Sequence, residues 1–210
     1  MRGRLITLEG GEGAGKSTVM QALREHIESC GIRLQVTREP GGTALGEAIR
    51  AIVLDPELGM VCAESELLLM FAARAQLVRE LIRPALERGD WVLADRFTDA
   101  SFAYQGGGRG QPAARIEDLE DWAADGLRPD LTLLLDLPVS LGLARAGERG
   151  RPDRIEAERA EFFERVRDAY RRRADADPQR FRVIDSSRPL PRVVADAIAA
   201  IDALVADWKP

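Results

Sequence analysis

Apolar and polar positions follow two different rhythms along this chain. Short runs such as residues 131–136 (Leu-Thr-Leu-Leu-Leu-Asp) are apolar at nearly every position, the pattern of a strand covered on both faces. Segments 4–9, 33–38, 91–95 and 181–185 have the same β-rich character. Between them lie stretches of helical periodicity at 17–29, 46–53, 64–88, 115–124, 140–145 and 156 to about 174, with a closing amphipathic segment from 191 to about 207. Regular strand–helix alternation predicts an α/β fold: a five-stranded parallel sheet flanked by helices. Because there is no internal repeat, low-complexity linker or break in composition, residues 1–210 are expected to form a single domain.

The loops that follow these strands carry the unusual residues. In an open parallel sheet, the edge beyond the C-terminal strand ends is where ligands bind. After the first strand stand Gly10, Gly11, Glu12, Gly13, Ala14, Gly15, Lys16 and Ser17, which satisfy the phosphate-loop pattern G-x-x-x-x-G-K-[ST]. Glycines let the backbone turn tightly and aim successive N–H groups at one anion, and the following helix adds its positive dipole end. Lys16 is expected to reach the β and γ phosphates of a nucleoside triphosphate, and the Ser17 hydroxyl to coordinate Mg²⁺. A carboxylate at Glu12 repels phosphate; it can contact a ligand hydroxyl, orient an arginine, or point to solvent.

Bulk composition narrows the partners. Among 210 residues, 45% are hydrophobic and 31% charged, with a formal net charge of -5, so the surface as a whole is not built to coat nucleic acid. Any phosphate-binding charge must therefore be local. No run is long enough to span a membrane, and a strand pattern that begins by residue 4 leaves no room for a signal peptide, so the cytoplasm is the expected location. Cys30 and Cys62 lack metal or disulfide spacing and read as reduced core thiols. The single histidine, His26, lies in a helical segment and reads as a surface or partly packed residue.

Three further regions concentrate positive charge. Thr37-Arg38-Glu39-Pro40-Gly41-Gly42-Thr43 ends the second strand, and Arg50 follows on the next helix; Arg74 sits on an otherwise apolar helix after Met70 and Phe71; Asp95-Arg96-Phe97 ends the third strand. Each arginine can pair bidentately with phosphate. Taken singly each can also be a solvated or salt-bridged surface residue, but those ending strands share the rim of the phosphate loop. In Ser101-Phe102-Ala103-Tyr104-Gln105-Gly106-Gly107-Gly108-Arg109-Gly110, a glutamine can read a base edge and an aromatic ring can stack on a base or sugar. Four glycines so close together mark a strained or closely approached backbone. The third region, residues 145–154, carries Arg145, Arg149, Arg151 and Arg154 between glycines and a proline, the composition of an arginine-bearing lid that closes over phosphates.

Taken together, Leu8-Glu9-Gly10 with its phosphate loop, Thr37-Arg38-Glu39-Pro40-Gly41-Gly42-Thr43, Asp95-Arg96-Phe97 and Ala103-Tyr104-Gln105-Gly106 resemble the bacterial thymidylate kinases over essentially the whole chain. The resemblance implies a P-loop NTPase fold with a lid at about 145–154. It also implies transfer of the γ-phosphoryl group of ATP to dTMP with Mg²⁺, and a homodimer, with neither nucleic acid nor membrane as partner. ATP would lie over residues 10–17 and Thr18. Arg74 and Gln105 would contact thymine, with Ser101 nearby, while Arg50 and Arg96 would hold the dTMP phosphate. Glu39 would sit near the sugar or a water-bridged metal. Tyr104 would crowd the sugar 2′ position, and Asp95 would orient Mg²⁺ or Arg96. With Glu12 and Gly13 in the phosphate loop, the chain resembles the branch whose assisting arginine comes from the lid, with Arg149 the first choice. Where the family often stacks a phenylalanine on the base, Met70 stands here with Phe71 one place later; either Met70 packs on the base or a helix adjustment presents Phe71.

Overall fold

The structure is a computed structural model, described here for residues 2–147, 152–206 and 208. Five strands form one parallel sheet: β1 (Leu5–Gly10), β2 (Leu34–Arg38), β3 (Trp91–Asp95), β4 (Leu131–Asp136) and β5 (Phe181–Asp185). Their spatial order is β2-β3-β1-β4-β5. All five expected strands form, within one residue of the expected ends. β1 is buried at every position, with Ile6 and Leu8 facing one side and Leu5, Thr7 and Glu9 alternating to the other.

On the first face, α1 (Lys16–Ser29) and α9 (Leu190–Ala206) close a core of Ile6, Leu8, Leu23, Ile27, Trp91, Leu133 and Ile201. On the other face, β4 and β5 pack through Leu134 and Phe181 against Phe162, Phe163, Val166 and Tyr170 of α8 (Ala160–Ala176). Beside these, Leu5 and Val92 meet Leu77, Val78 and Ile82. Those last residues belong to the long expected helix 64–88. It is made of α3 (Ala63–Leu77), a π-helical stretch Val78–Ile82, and the short α4 (Arg83–Glu87). α2 (Ala44–Leu54) lies against α3 through Ile49, Val53, Met70 and Ala73.

Two expectations need correction, and the glycine-rich segment gains detail. Cys30 and Cys62 are exposed free thiols rather than core residues, because both lie at helix ends outside the buried stripes. The glycine-rich segment after β3 is helical: α5 (Thr98–Ser101) runs into a second π-helical stretch, Phe102–Gly108, before α6 (Ala113–Ala124). A Cβ added at Gly108 would stand 2.4 Å from the Phe162 ring of α8, and one at Gly107 2.7 Å from the Arg165 carbonyl oxygen, so here the glycines do mark close backbone approach. Finally, the helix expected from residue 156 begins only at Ala160. The Asp153 carboxylate accepts from the Ile155 and Glu156 N–H groups, both at 2.8 Å, and holds a turn there instead. Between β4 and that turn lies α7 (Val139–Gly147). Among the described residues, no helix is long and apolar enough to cross a membrane.

Candidate active site

Parallel register brings the chemistry to one edge. β1 pairs with both β3 and β4, placing Leu8 beside Asp95, and β2 places Arg38 beside Asp95 from the other side. The strand ends are then knit together, with Arg96 N–H donating to the Leu8 carbonyl (3.0 Å) and Glu39 N–H to the Asp95 carbonyl (2.9 Å). A cleft of about 480 Å³ opens above them, bounded by Glu12 to Thr18 on one side and by Arg38, Glu39, Arg50, Met70, Asp95, Arg96, Tyr104 and Gln105 on the other.

The phosphate loop passes from β1 into α1, and Gly13 takes a φ of 67°, a conformation that costs a side-chain-bearing residue energy. Space is decisive too: a Cβ at Gly13 would lie 2.1 Å from the Gly142 carbonyl oxygen of α7. No side chain fits at position 13 while α7 packs there. Lys16 Nζ reaches back over the loop to the Gly10 and Gly11 carbonyls, both at 3.1 Å. Burial and then the Arg96 charge lower the Lys16 pKa, against the pull of Glu12, Asp95 and Glu9.

Arg96 is the hub of the site. Its backbone is left-handed, with φ 71°, a strained choice for arginine. Its guanidinium donates to the Gly10 carbonyl (3.0 Å), the Tyr170 hydroxyl (3.1 Å), the Tyr104 hydroxyl (2.9 Å) and Glu12 (3.1 Å). It also lies 4.6 Å from the centroid of the Tyr104 ring. Tyr104 in turn donates to Glu12 at 2.8 Å. The carboxylate in the phosphate loop therefore orients an arginine, one of its three expected uses. Burial pushes both phenols well above their usual pKa and keeps them neutral. Behind them Glu9 is fully buried, accepting from Phe97 N–H and from the Tyr170 hydroxyl, each at 2.7 Å. Burial and then repulsion from Asp99 raise its pKa to about 8.

On the acceptor side, Arg50 donates to the Pro40 carbonyl at 3.1 Å, and burial together with nearby Arg38 lowers its pKa. Arg38 in turn is paired with Glu47 at 2.9 Å. Arg74 is completely buried, bonded to Glu39 (2.8 and 2.6 Å), Ser101 (3.0 Å) and the Phe97 carbonyl (3.1 Å), with its guanidinium 4.4 Å from the Phe71 centroid. Met70 lines the cleft, whereas Phe71, Arg74 and Ser101 stand behind its wall. Phe71 packs instead against Leu67, Phe102 and Ile116. Burial raises the Glu39 pKa despite the Arg74 charge.

In α7, Arg145 donates to the Ser186 carbonyl (3.0 Å), and the Ser186 hydroxyl to the Ala14 carbonyl (2.6 Å). This fixes the loop after β5 against the phosphate loop. Arg154 donates to the Val53 carbonyl (2.7 Å) and Glu66 (2.6 Å), tying the chain before α8 to α2 and α3. Arg149 and Arg151 lie outside the described residues.

Comparison with known proteins matches this arrangement to one family. The thymidylate kinase sequence model matches residues 8–198. The chain is 54% identical to a thymidylate kinase of Methylococcus capsulatus over 204 residues, 97% of each chain. Against a thymidylate kinase of Alkalilimnicola ehrlichii it is 54% identical over 208 residues, 99% of this chain and 96% of the relative. A crystal structure of thymidylate kinase from Ehrlichia chaffeensis superposes with a TM-score of 0.78 at 31% identity, covering 96% of this chain and 99% of that one.

The chain belongs to the thymidylate kinase family. It is therefore a nucleoside monophosphate kinase, a phosphotransferase with the P-loop fold. In this kinase most of the site residues expected from sequence do converge: residues 12–18, Glu39, Arg50, Met70, Asp95, Arg96, Tyr104 and Gln105 line one cleft, with Gly10 and Gly11 carrying the loop into it. Several contributors were missed. Tyr170, itself bonded to Glu9, holds Arg96, while Asp153, Ile155 and Glu156 also line the cleft. Glu66, only 1% exposed, accepts from Gln105, Arg109 and Arg154. A signal existed for Glu66, since it precedes Met70 and Arg74 at the four-residue spacing that places side chains on one helix face.

Proposed function

We propose that this kinase transfers the γ-phosphoryl group of ATP to dTMP, giving dTDP and ADP. The observation that carries the reading is the single cleft that the phosphate loop lines together with Arg50, Arg96, Met70 and Gln105. Two anions must meet there in line, so the kinase has to cancel their repulsion and fix their geometry. Lys16 and the loop N–H groups take the donor phosphates. Arg96, locked by Glu12, Tyr104 and Tyr170, and Arg50 take the phosphate of dTMP. Met70 offers the base a soft apolar surface and Gln105 offers it a polar edge. Tyr104 fills the space beside the sugar. Arg74 and Ser101 act from behind the wall, by holding Glu39 and α5.

The residues present fit Mg²⁺. Asp95 Oδ1 is buried without a partner beside the phosphate loop, and Ser17 opens α1. Both are hard oxygen donors, the kind Mg²⁺ binds together with substrate phosphates. Among the described residues no cluster of three side-chain ligands exists, so nucleotide oxygens would complete the coordination. When bound, the ion neutralises charge on the transferring phosphates. A homodimer is supported by exposed apolar side chains on helices that pack in sequence, α2 to α3 to α6: Leu45, Ile52, Leu68 and Trp122 are 46 to 76% exposed.

An assay coupled to ADP release, run with dTMP, dUMP, dCMP, dGMP and AMP, tests the proposal. dTMP should be the fastest acceptor, and turnover of dTMP no faster than of dCMP, dGMP or AMP would exclude it.

A further inference from the structure

Gln105 has an amide with two unlike ends, and the structure uses only one of them. Its Nε2 donates to Glu66 Oε1 at 3.0 Å. Its Oε1, on the other branch of the amide, is buried without a hydrogen-bond partner although Gln105 lines the cleft. An amide can be turned over at almost no steric cost, so its orientation is set by its neighbours.

Here the deciding neighbour is Glu66. The carboxylate is 1% exposed and also accepts from Arg109 Nε (3.3 Å) and an Arg154 guanidinium nitrogen (2.6 Å). Burial alone would raise its pKa, but the bonds from Gln105 and Arg154 and the charge of Arg109 hold it below the usual carboxylate range. An ionised carboxylate only accepts. Gln105 must therefore turn its NH₂ toward Glu66, because the opposite orientation would set two acceptors face to face.

We infer that Glu66 is a positioning residue for base selection. By occupying the amide nitrogen of Gln105, it leaves the amide oxygen as what Gln105 offers the base, and so favours bases carrying an N–H at ring position 3. Thymine and uracil carry that donor; cytosine has an acceptor there. A site whose buried acceptor is left unpaired by the wrong base discriminates far more strongly than an apolar pocket does. This rests on the proposed function, in which the base lies between Met70 and Gln105.

The test is kcat/KM for dTMP, dUMP and dCMP in the wild type, Glu66→Gln and Glu66→Asp, with melting temperatures to confirm folding. Glu66→Gln can accept or donate, so it frees Gln105 to turn over. Glu66→Asp keeps a charge for Arg109 and Arg154 but withdraws the carboxylate by about 1.5 Å. In both variants the dTMP/dCMP and dUMP/dCMP ratios should fall at least about tenfold, roughly one hydrogen bond's worth of discrimination. The dTMP/dUMP ratio, set by the methyl group, should hold. A folded variant that keeps the wild-type ratios, or loses activity equally on all three nucleotides, overturns the role of Glu66. A wild type that uses dCMP as well as dTMP overturns the base assignment and this inference with it.

Discussion

Glu9 offers a direct test of how the site is built, because the protein keeps it neutral where an exposed glutamate is charged. Burial and the nearby Asp99 raise its pKa from 4.5 to about 8, more than Arg96 and the bonds from Tyr170 and Phe97 can offset. At pH 7 the folded protein therefore holds a proton on Glu9 that the unfolded chain has released. Each unit of difference is worth about 1.4 kcal/mol. Stability from this group is complete below pH 4.5 and is lost as pH rises toward 8. The loss is about 3 kcal/mol by pH 7 and about 5 kcal/mol above pH 8, where it levels off. Glu9→Gln copies the protonated shape: its amide oxygen can accept from Phe97 N–H and its NH₂ can face the Tyr170 oxygen, with no proton to take up. Urea unfolding between pH 5 and 9, followed by fluorescence of the buried Trp91, should show the variant gaining on the wild type by up to about 1.4 kcal/mol per pH unit until pH 8. Parallel stability curves for the two proteins across that range would refute the assignment of a neutral Glu9.

Two other predictions concern the loop and the helix that wall the site. Lys16→Ala should lower kcat by about tenfold to a thousandfold, the scale of losing one preorganised charge contact; near-normal turnover in the ADP-release assay would contradict its role at the phosphates. Gly108→Ala puts a Cβ 2.4 Å from the Phe162 ring and should destabilise by about 1–3 kcal/mol through overpacking. That lowers the melting temperature by roughly 2–12 °C for a chain of this size, and an unchanged melting temperature would show that α8 yields freely.

What could be read from sequence and what could not divide along physical lines. The central strands were legible because burial on both faces removes most polar residues, leaving runs such as Leu133-Leu134-Leu135 that no exposed element would carry. The phosphate loop was legible because close backbone approach to an anion restricts residue choice at fixed positions, and at Gly13 the restriction is doubled by α7 lying against it. The helical character of Thr98–Gly108 was not legible: Gly106, Gly107 and Gly108 argue against a helix by propensity, and only the packing of Phe162 and Arg165 explains them. The same limit applied to charge. Arg74 and Arg96 were visible as cations, but not the partners that decide what each can do. Glu39 encloses Arg74 behind the wall, whereas Glu12, Tyr104 and Tyr170 hold Arg96 at the cleft. The Arg96 partners come from the phosphate loop, the π-helical stretch and α8, up to 84 residues away in sequence. A carboxylate in a phosphate loop looks like an error in one dimension; in three it is what aims Arg96 at the cleft.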